Sequence, residues 1–295
     1  MKLGMIGLGK MGANMAQRLK DKGHEVVGYD PHSDQTDVGS LKELAEALTG
    51  DGAAPRVVWS MVPAGDITEQ TVQELAGVLA AGDVVIDGGN SRWTDSVRRG
   101  DELATKGIGF IDAGTSGGVW GQKNGYSLMV GGTSESVAVA QPIFDALAPE
   151  GGGFAHVGKV GTGHFTKMVH NGIEYGMMQA YAEGYAVLLK SGLDIDALAG
   201  LRAWQQGSVV RSWLLDLMVD ALEQDPGLED IVPVAIDSGE GRWTVEEAVR
   251  LGVSAPVISA ALFARFVSQD DSGVSMKVIA ALRHQFGGHA MEMKH

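Results

Sequence analysis

The sequence predicts an α/β protein in which a doubly wound, mostly parallel sheet (1–160) is followed by an all-helical C-terminal domain (161–295). Three observations predict it. Strand and helix patterns alternate through the first 131 residues, a glycine-rich turn joins the first strand to the first helix, and after 151–153 the texture changes to long helical runs.

Residues 2–7 alternate apolar and small side chains and lead into Gly7-Leu8-Gly9-Lys10-Met11-Gly12, with a helix through Asn14, Met15, Ala16, Arg18 and Leu19 behind. This is G-x-G-x-x-G directly after a strand. Gly7 permits the tight turn, Gly9 lets the backbone approach a pyrophosphate, and Gly12 lets helix and strand pack closely. The pyrophosphate rests on free N–H groups at the helix N-terminus, so Leu8, Lys10 and Met11 join the glycines as candidate cofactor contacts. Gly23-His24 ends the helix, 25–29 makes a second strand, and Asp30 closes it, 18 residues beyond Gly12. An acidic residue there accepts hydrogen bonds from the adenosine ribose and repels a 2′-phosphate. A Rossmann-type domain is therefore expected to take NAD, with NADP less favoured. The alternative for Asp30 is a turn residue before Pro31.

The alternation continues with a helix at 41–48 and a strand at 56–62 ending in Val62-Pro63-Ala64-Gly65. A helix at 72–79 and a strand at 83–87 follow, ending in Gly88-Gly89-Asn90-Ser91. A helix at 94–106, a strand at 109–113 ending in Gly114-Thr115-Ser116-Gly117-Gly118, and a strand at 127–131 complete this half. Ligands of such sheets bind beyond the carboxyl ends of the strands. Val62, Pro63, Asn90, Ser116, Gly117 and Gly118 are candidates on that ground, although glycine-rich loops are also plain turns.

In the second half helices are expected at 164–191, 194–204, 208–223, 244–251, 256–269 and 273–285, with Asp194 and Ser254 as caps. The first of them organises the chain. Lys167, His170, Asn171 and Glu174 stand at i, i+3, i+4 and i+7 and share one face. Met168, Val169, Ile173 and Met177 occupy the other side, Gly172 and Gly176 allow close packing, and the run reads as largely buried. Buried polar groups without partners cost ~2–7 kcal/mol each. The stripe is read as holding a polar ligand, with an internal Lys167–Glu174 salt bridge as the alternative. Arg211, Arg242 and Arg265 stand alone among apolar neighbours; facing the stripe, they would form a basic cluster for an anion.

The formal net charge of −14 argues against nucleic acid as a partner, and any anionic ligand must be met by a local cationic cluster. No run reaches the ~18–20 apolar residues of a membrane span. With no cysteine and no apolar leader, a cytoplasmic enzyme is expected, without disulfides or thiolate chemistry. His170 and Glu174 at i, i+4 could chelate a metal, but His164 lies at a poor offset from both and no metal is expected.

Gly7–Gly12, Asp87–Ser91, Gly114–Gly118 and the run from Lys167 to Tyr175 together closely resemble the decarboxylating 6-phosphogluconate dehydrogenase family. The resemblance runs from residue 1 to about 290 and takes in Gly239-Glu240-Gly241-Arg242-Trp243-Thr244, Phe263-Ala264-Arg265 and Arg283 to His289. The length matches the short form of that family. The wider β-hydroxyacid dehydrogenase superfamily shares the nucleotide motif and the Lys167/Asn171 pair; His170, Glu174 and Tyr175 set the sugar-acid enzyme apart.

The resemblance implies oxidation of 6-phosphogluconate at C3, loss of CO2 and release of ribulose 5-phosphate in the pentose phosphate pathway, with no metal. It implies Lys167 as general base and Glu174 as general acid. Asn90, Ser116, Gly117, Gly118, His170 and Asn171 would hold the carboxylate and hydroxyls. Tyr175, Arg242 and Arg265 would hold the phosphate, completed by Arg283 and His289 from the partner subunit of a homodimer or homotetramer. Position 242 is Arg where the long form has Lys, and Asp30 replaces the Asn-Arg-Thr stretch of NADP-using members. The nearer alternative is a dehydrogenase of a small unphosphorylated 3-hydroxy acid, the farther a non-catalytic NAD-binding protein.

Overall fold

The computed structural model describes residues 1–49 and 54–292. Its elements run β1 (Lys2–Ile6), α1 (Lys10–Asp21), β2 (Glu25–Tyr29), α2 (Leu41–Ala47), β3 (Val57–Ser60), α3 (Asp66–Val78), β4 (Val84–Asp87) and α4 (Trp93–Ala104). β5 (Gly109–Ser116) leads through a 3-10 turn (Gly118–Trp120) into the short α5 (Gly121–Asn124), followed by β6 (Ser127–Gly131), α6 (Ser134–Leu147) and β7 (Phe154–Gly158).

Among the described residues the strands form one seven-stranded sheet in the order β2-β1-β3-β4-β5-β6-β7. Neighbours are parallel except β5 with β6. Strand side chains alternate between faces, and both faces are apolar because both are covered. Leu3, Met5, Trp59 and Ile86 pack with Met15 and Leu19 of α1 and Phe144 of α6. Ile6, Val58, Val85 and Phe110 pack on the other face with Leu44 of α2, Leu75 of α3 and Leu103 of α4. Each such side chain contributes about 1.5–3 kcal/mol on burial.

Several boundaries differ from the sequence expectation. α3 starts at Asp66 rather than 72, because its first turn is acidic and the Thr68 hydroxyl donates to the Pro63 carbonyl (2.8 Å). β5 runs on to Ser116, held there by antiparallel pairing with Ser127. α6 and β7 were not expected. α6 contains Pro142, a helix breaker by residue type that the third turn tolerates here, and β7 is a largely exposed edge strand without alternation.

The chain divides into two compact units, 1–171 and 172–295. α7 (Thr162–Lys190) belongs to both, its residues through Asn171 counting with the first. The second unit continues with α8 (Ala197–Gln205), α9 (Trp213–Gln224), α10 (Glu240–Leu251), α11 (Pro256–Ser268) and α12 (Val274–Gly287). Asp196, not Asp194, caps α8, its carboxylate accepting from the Ala199 amide. α9 begins at Trp213 behind a Ser212 cap rather than at 208. α10 begins at Glu240 rather than 244, and Pro256 opens α11, so Ser254 is not a cap.

The expectation of a largely buried α7 holds only for its start. Lys167, Met168, Asn171 and Tyr175 are buried, whereas Val187 and Leu189 are 70% and 62% exposed. Beyond Tyr175 the helix meets its own unit through a few side chains, chiefly Tyr181 and Tyr185 against Leu201, Leu215, Val219 and Leu222. Ile173 and Met177, expected on the packed side, are exposed in the single chain. The polar stripe is the better covered side.

Candidate active site

The predicted cofactor residues converge on one edge of the sheet. Gly7 adopts φ +83°, and a Cβ there would stand 2.7 Å from the Met61 carbonyl oxygen. A Cβ on Gly12 would collide with the Gly7 carbonyl, while one on Gly9 meets nothing within 4 Å. Two glycines are thus demanded by the fold, and the third opens space for a ligand. No side chain caps α1 at Gly9, so the first-turn amides of Lys10, Met11 and Gly12 are presented to that space.

Asp30 lies at the end of the neighbouring strand. Its Oδ2 accepts from the Leu8 amide (2.8 Å) and its Oδ1 from the His32 amide (2.8 Å), which ties the acidic side chain to the glycine loop. Asp30 thus acts as a turn residue through the His32 amide and lies beside the glycine loop through the Leu8 amide.

Val62 and Pro63 follow β3, and Asn90 follows β4 on a turn fastened by Asp87. The Asp87 carboxylate accepts from the Gly89 amide (3.1 Å) and the Ser91 hydroxyl (2.7 Å). Behind it, the buried Arg99 guanidinium lies 3.6 Å from Asp87 and donates to Glu69 on α3 (2.9 Å). Hydrogen bonds from Arg98, and then from Arg99, hold the Glu69 carboxyl down at about 2. Sequence reasoning missed this network, whose members are ordinary helix-surface residue types. After β5, Gly117 and Gly118 take φ +145° and +52°, backbone open to glycine, and turn the chain sharply beside Ser116.

The start of α7 lies against β5. A Cβ on Gly114 would overlap the Lys167 Cβ and stand 2.9 Å from the Gly163 carbonyl. Asp112, two residues earlier, is fully buried and accepts from the amides of Gly161 and His164, both at 2.7 Å. Burial pushes its pKa up; the nearby His164 and the amides oppose this in part. The His164 Nδ1 pairs with the Ser96 hydroxyl (2.7 Å), so this residue is structural. One turn beyond Lys167, His170 Nδ1 lies 2.9 Å from Asn171 Oδ1.

In the second unit Tyr175, Arg242 and Arg265 come together. The Tyr175 ring packs on Gly241, and its hydroxyl accepts from the Ser238 amide (3.0 Å). The Arg265 guanidinium lies over that ring, 3.5 Å from its centroid, and donates to the Ile236 carbonyl. Arg242 pairs with Asp237 (2.8 Å) and lies over Phe266, and Arg242 holds the Asp237 carboxyl below its usual range. Glu240, almost fully buried and accepting from the Ser238 hydroxyl (2.6 Å), was not singled out from the sequence. Gly172 packs on Thr244 and Gly176 on Val257, as expected of glycines at a helix contact.

Arg211 is exposed, and among the described residues no hydrogen bond or ion pair joins it to this group. Arg283 and His289 lie on α12 and just beyond it, exposed, and no hydrogen bond links them to Tyr175, Arg242 or Arg265. Among the described residues no cluster of three or more His, Asp or Glu could hold a metal ion, and no helix is long and apolar enough to cross a membrane.

A doubly wound sheet with a glycine loop, an acidic residue closing β2 and a Lys-x-x-x-Asn pair on α7, the helix that follows the last strand, defines a nicotinamide dinucleotide-dependent oxidoreductase of the β-hydroxyacid dehydrogenase superfamily. Residues 2–161 match the family described as the NAD binding domain of 6-phosphogluconate dehydrogenase, and residues 163–285 match the 6-phosphogluconate dehydrogenase C-terminal domain. The chain belongs to the 6-phosphogluconate dehydrogenase family, in its short form.

It is 43% identical, over the full length of both, to the Bacillus subtilis (strain 168) protein YqeC, provisionally named a 6-phosphogluconate dehydrogenase. It is 40% identical to the NAD(+)-dependent, decarboxylating 6-phosphogluconate dehydrogenase of Haloferax volcanii, covering 100% of this chain and 99% of that one. Among solved structures it is similar to Plasmodium falciparum 6-phosphogluconate dehydrogenase, described in complex with NADP+ and with 6-phosphogluconate (TM-score 0.80, 26% identity). That match covers all of this chain and 66% of the longer one.

Proposed function

We propose that the protein oxidatively decarboxylates 6-phospho-D-gluconate to D-ribulose 5-phosphate and CO2 with reduction of NAD, in the pentose phosphate pathway. The observation that carries the reading is Lys167, laid against β5 beside the cofactor edge on an unbroken helix that bears Glu174 two turns later. The spacing is about 10 Å along the helix axis.

The fit of the dinucleotide rests on the open space at Gly9, the uncapped α1 amides and Asp30. NAD is favoured over NADP because Asp30 disfavours a 2′-phosphate and no Lys or Arg occurs between residues 31 and 41 to receive one. When bound, the nicotinamide accepts the hydride from C3.

Lys167 takes the C3 hydroxyl proton as that hydride leaves, for which it must start neutral. The resulting 3-keto acid breaks its C1–C2 bond, CO2 departs, the electron pair passes into the C3 carbonyl, and the C3 oxygen takes back the proton held by Lys167 to give an enediol. Glu174 then protonates the former C2, which becomes C1 of the ketose, while Lys167 again takes the proton from the C3 oxygen. Asn90, Ser116, Gly117, Gly118, His170 and Asn171 orient the carboxylate and hydroxyls. Tyr175, Arg242 and Arg265 receive the phosphate, a local basic group in a chain of net charge −14.

In this reading residues 1–160 bind the dinucleotide, and 161–295 bind the sugar acid and form the dimer or tetramer contact. Arg283 and His289 complete the neighbour's phosphate site, supported by the exposure of α12 throughout. A cytoplasmic location fits this chemistry. The alternative, a small unphosphorylated 3-hydroxy acid, leaves the Arg242–Tyr175–Arg265 group without a task.

The test is nicotinamide reduction by 6-phosphogluconate, with NAD and NADP side by side and CO2 followed in parallel. Matched NADH and CO2 formation supports the reading. Oxidation of a small 3-hydroxy acid with no turnover of the phosphorylated one rejects it.

A further inference from the structure

We infer that Asp112 and Gly114, alternate residues of β5, together set the position of the Lys167 amine, which makes them positioning residues for proton removal from the substrate hydroxyl. The inference rests on the role proposed for Lys167.

Residues i and i+2 of a strand face the same way, and on β5 both face the start of α7. Asp112 fixes that helix along its axis. Its carboxylate accepts from the amides of Gly161 and His164, two donors that α7 leaves without an intrahelical partner, at 2.7 Å each. A negative group at a helix N-terminus is favoured by the helix dipole. Here it comes from a sheet strand rather than from the preceding loop, so helix register is referred to the sheet.

His164, the residue whose amide is held, is itself pinned through Nδ1 to Ser96 of α4 and is 2% exposed. Lys167 follows one turn later. Its height above the sheet edge is therefore set within the first turn of the helix.

Gly114 fixes the other direction, the distance of the helix from the sheet. A Cβ on Gly114 would overlap the Lys167 Cβ and stand 2.9 Å from the Gly163 carbonyl. Carbon atoms in contact prefer ~3.5–4.0 Å, so even alanine demands about 1 Å of separation that the native packing lacks. The same approach recurs at Gly163, where a Cβ would overlap the Asp112 carbonyl and stand 2.6 Å from that of Met129. Glycines on both elements bring helix and strand together, and the Lys167 stem lies on bare backbone. A displacement of 1 Å at a reacting group costs on the order of 10²-fold in rate.

The test is Gly114→Ala in the full-length protein, with Asp112→Asn as a second variant. The side chains of neither residue are among those that receive substrate or dinucleotide. Steady-state kinetics are measured across pH with the acid that wild type oxidises, alongside NADH affinity, thermal midpoint and an NMR titration of the Lys167 side-chain nitrogen. That resonance is assigned by its loss in Lys167→Met.

The expected result for Gly114→Ala is a kcat lowered by about 10²-fold, a shifted acidic limb of the pH–rate profile, a moved Lys167 titration, and unchanged NADH affinity. Asp112→Asn is expected to show the same pattern more weakly. Wild-type kcat with an unshifted limb overturns the inference, and so does a loss of kcat matched by an equal loss of NADH affinity. If wild type oxidises a different hydroxy acid, the proposed substrate fails, but the inference is still decided on that acid. If it oxidises none, the NMR titration decides it: an unmoved Lys167 titration in both variants overturns it.

Discussion

The guanidinium carbon of Arg265 lies 3.5 Å from the centroid of the Tyr175 ring, and the Tyr175 hydroxyl accepts from the Ser238 amide. A cation stacked on an aromatic face whose far end is fixed has little freedom left. Its planar donors can thus meet a phosphate without a large loss of side-chain entropy. Lysine offers neither the stacking plane nor the two-pronged donor. Arg265→Lys is expected to raise KM for 6-phosphogluconate by roughly 10-fold or more while kcat changes little, the pattern of lost ground-state binding. Equal KM values for variant and wild type would remove Arg265 from the phosphate site.

Asp30 joins β2 to the glycine loop through the Leu8 amide. In the proposed function, Asp30→Ala removes both the ribose acceptor and the negative charge that opposes a 2′-phosphate. The ratio of kcat/KM for NAD to that for NADP is expected to fall, with part of the change coming from weaker use of NAD, because the loop loses its anchor. A wild type that already prefers NADP would show that Asp30 is not the discriminating residue.

Acid should loosen the wall behind the Asn90 turn. Glu69 bridges Arg98 and Arg99, and these bonds hold its carboxyl at about 2 against an ordinary value of 4.5. A depressed folded-state pKa gives stability that is fully present above the unfolded value and lost as pH falls through the folded one. The window is therefore between 4.5 and about 2. Urea unfolding of Glu69→Gln is expected to show lower stability than wild type at neutral pH and a flatter decline across that window. Parallel wild-type and variant curves would mean that the bridge contributes nothing measurable, as many exposed ion pairs do.

What the sequence discloses depends on how local the cause is. G-x-G-x-x-G and Asp30 were legible because each is a backbone demand or charge requirement within one strand–turn–helix unit. The Lys167 stripe was legible because helical spacing alone puts its members on one face. α6 was hidden by Pro142, and β7 by its edge position, where nothing forces alternation. The Glu69–Arg99–Asp87 network and the Asp112 cap were hidden for another reason. Each joins residues 12 to 52 positions apart, and only the packed sheet brings them within reach. The exposure of the later part of α7 has the same origin, since helical periodicity records that a face is apolar but not what covers it.

The C-terminal segment offers the sharpest test of assembly. α12 buries none of its residues within its own chain, and large apolar side chains such as Leu282 and Phe286 are 57% and 78% exposed. Contiguous exposed apolar surface of this kind marks a contact with another molecule, and in the proposed function that molecule is a second copy. Removing 283–295 should then raise KM for 6-phosphogluconate sharply, while NADH affinity stays as in wild type. Arg283→Ala should do the same with the helix intact. Subunit mixing separates a tail acting across the interface from one acting on its own chain. Lys167→Met subunits keep an intact tail, and Arg283→Ala subunits keep the base. If the tail crosses over, a reassembled mixture contains sites with the base from one chain and the arginine from the other. About a quarter of the wild-type activity should then return in a random dimer mixture at low substrate. If the tail serves its own chain, every site lacks one of the two groups, and mixing restores nothing.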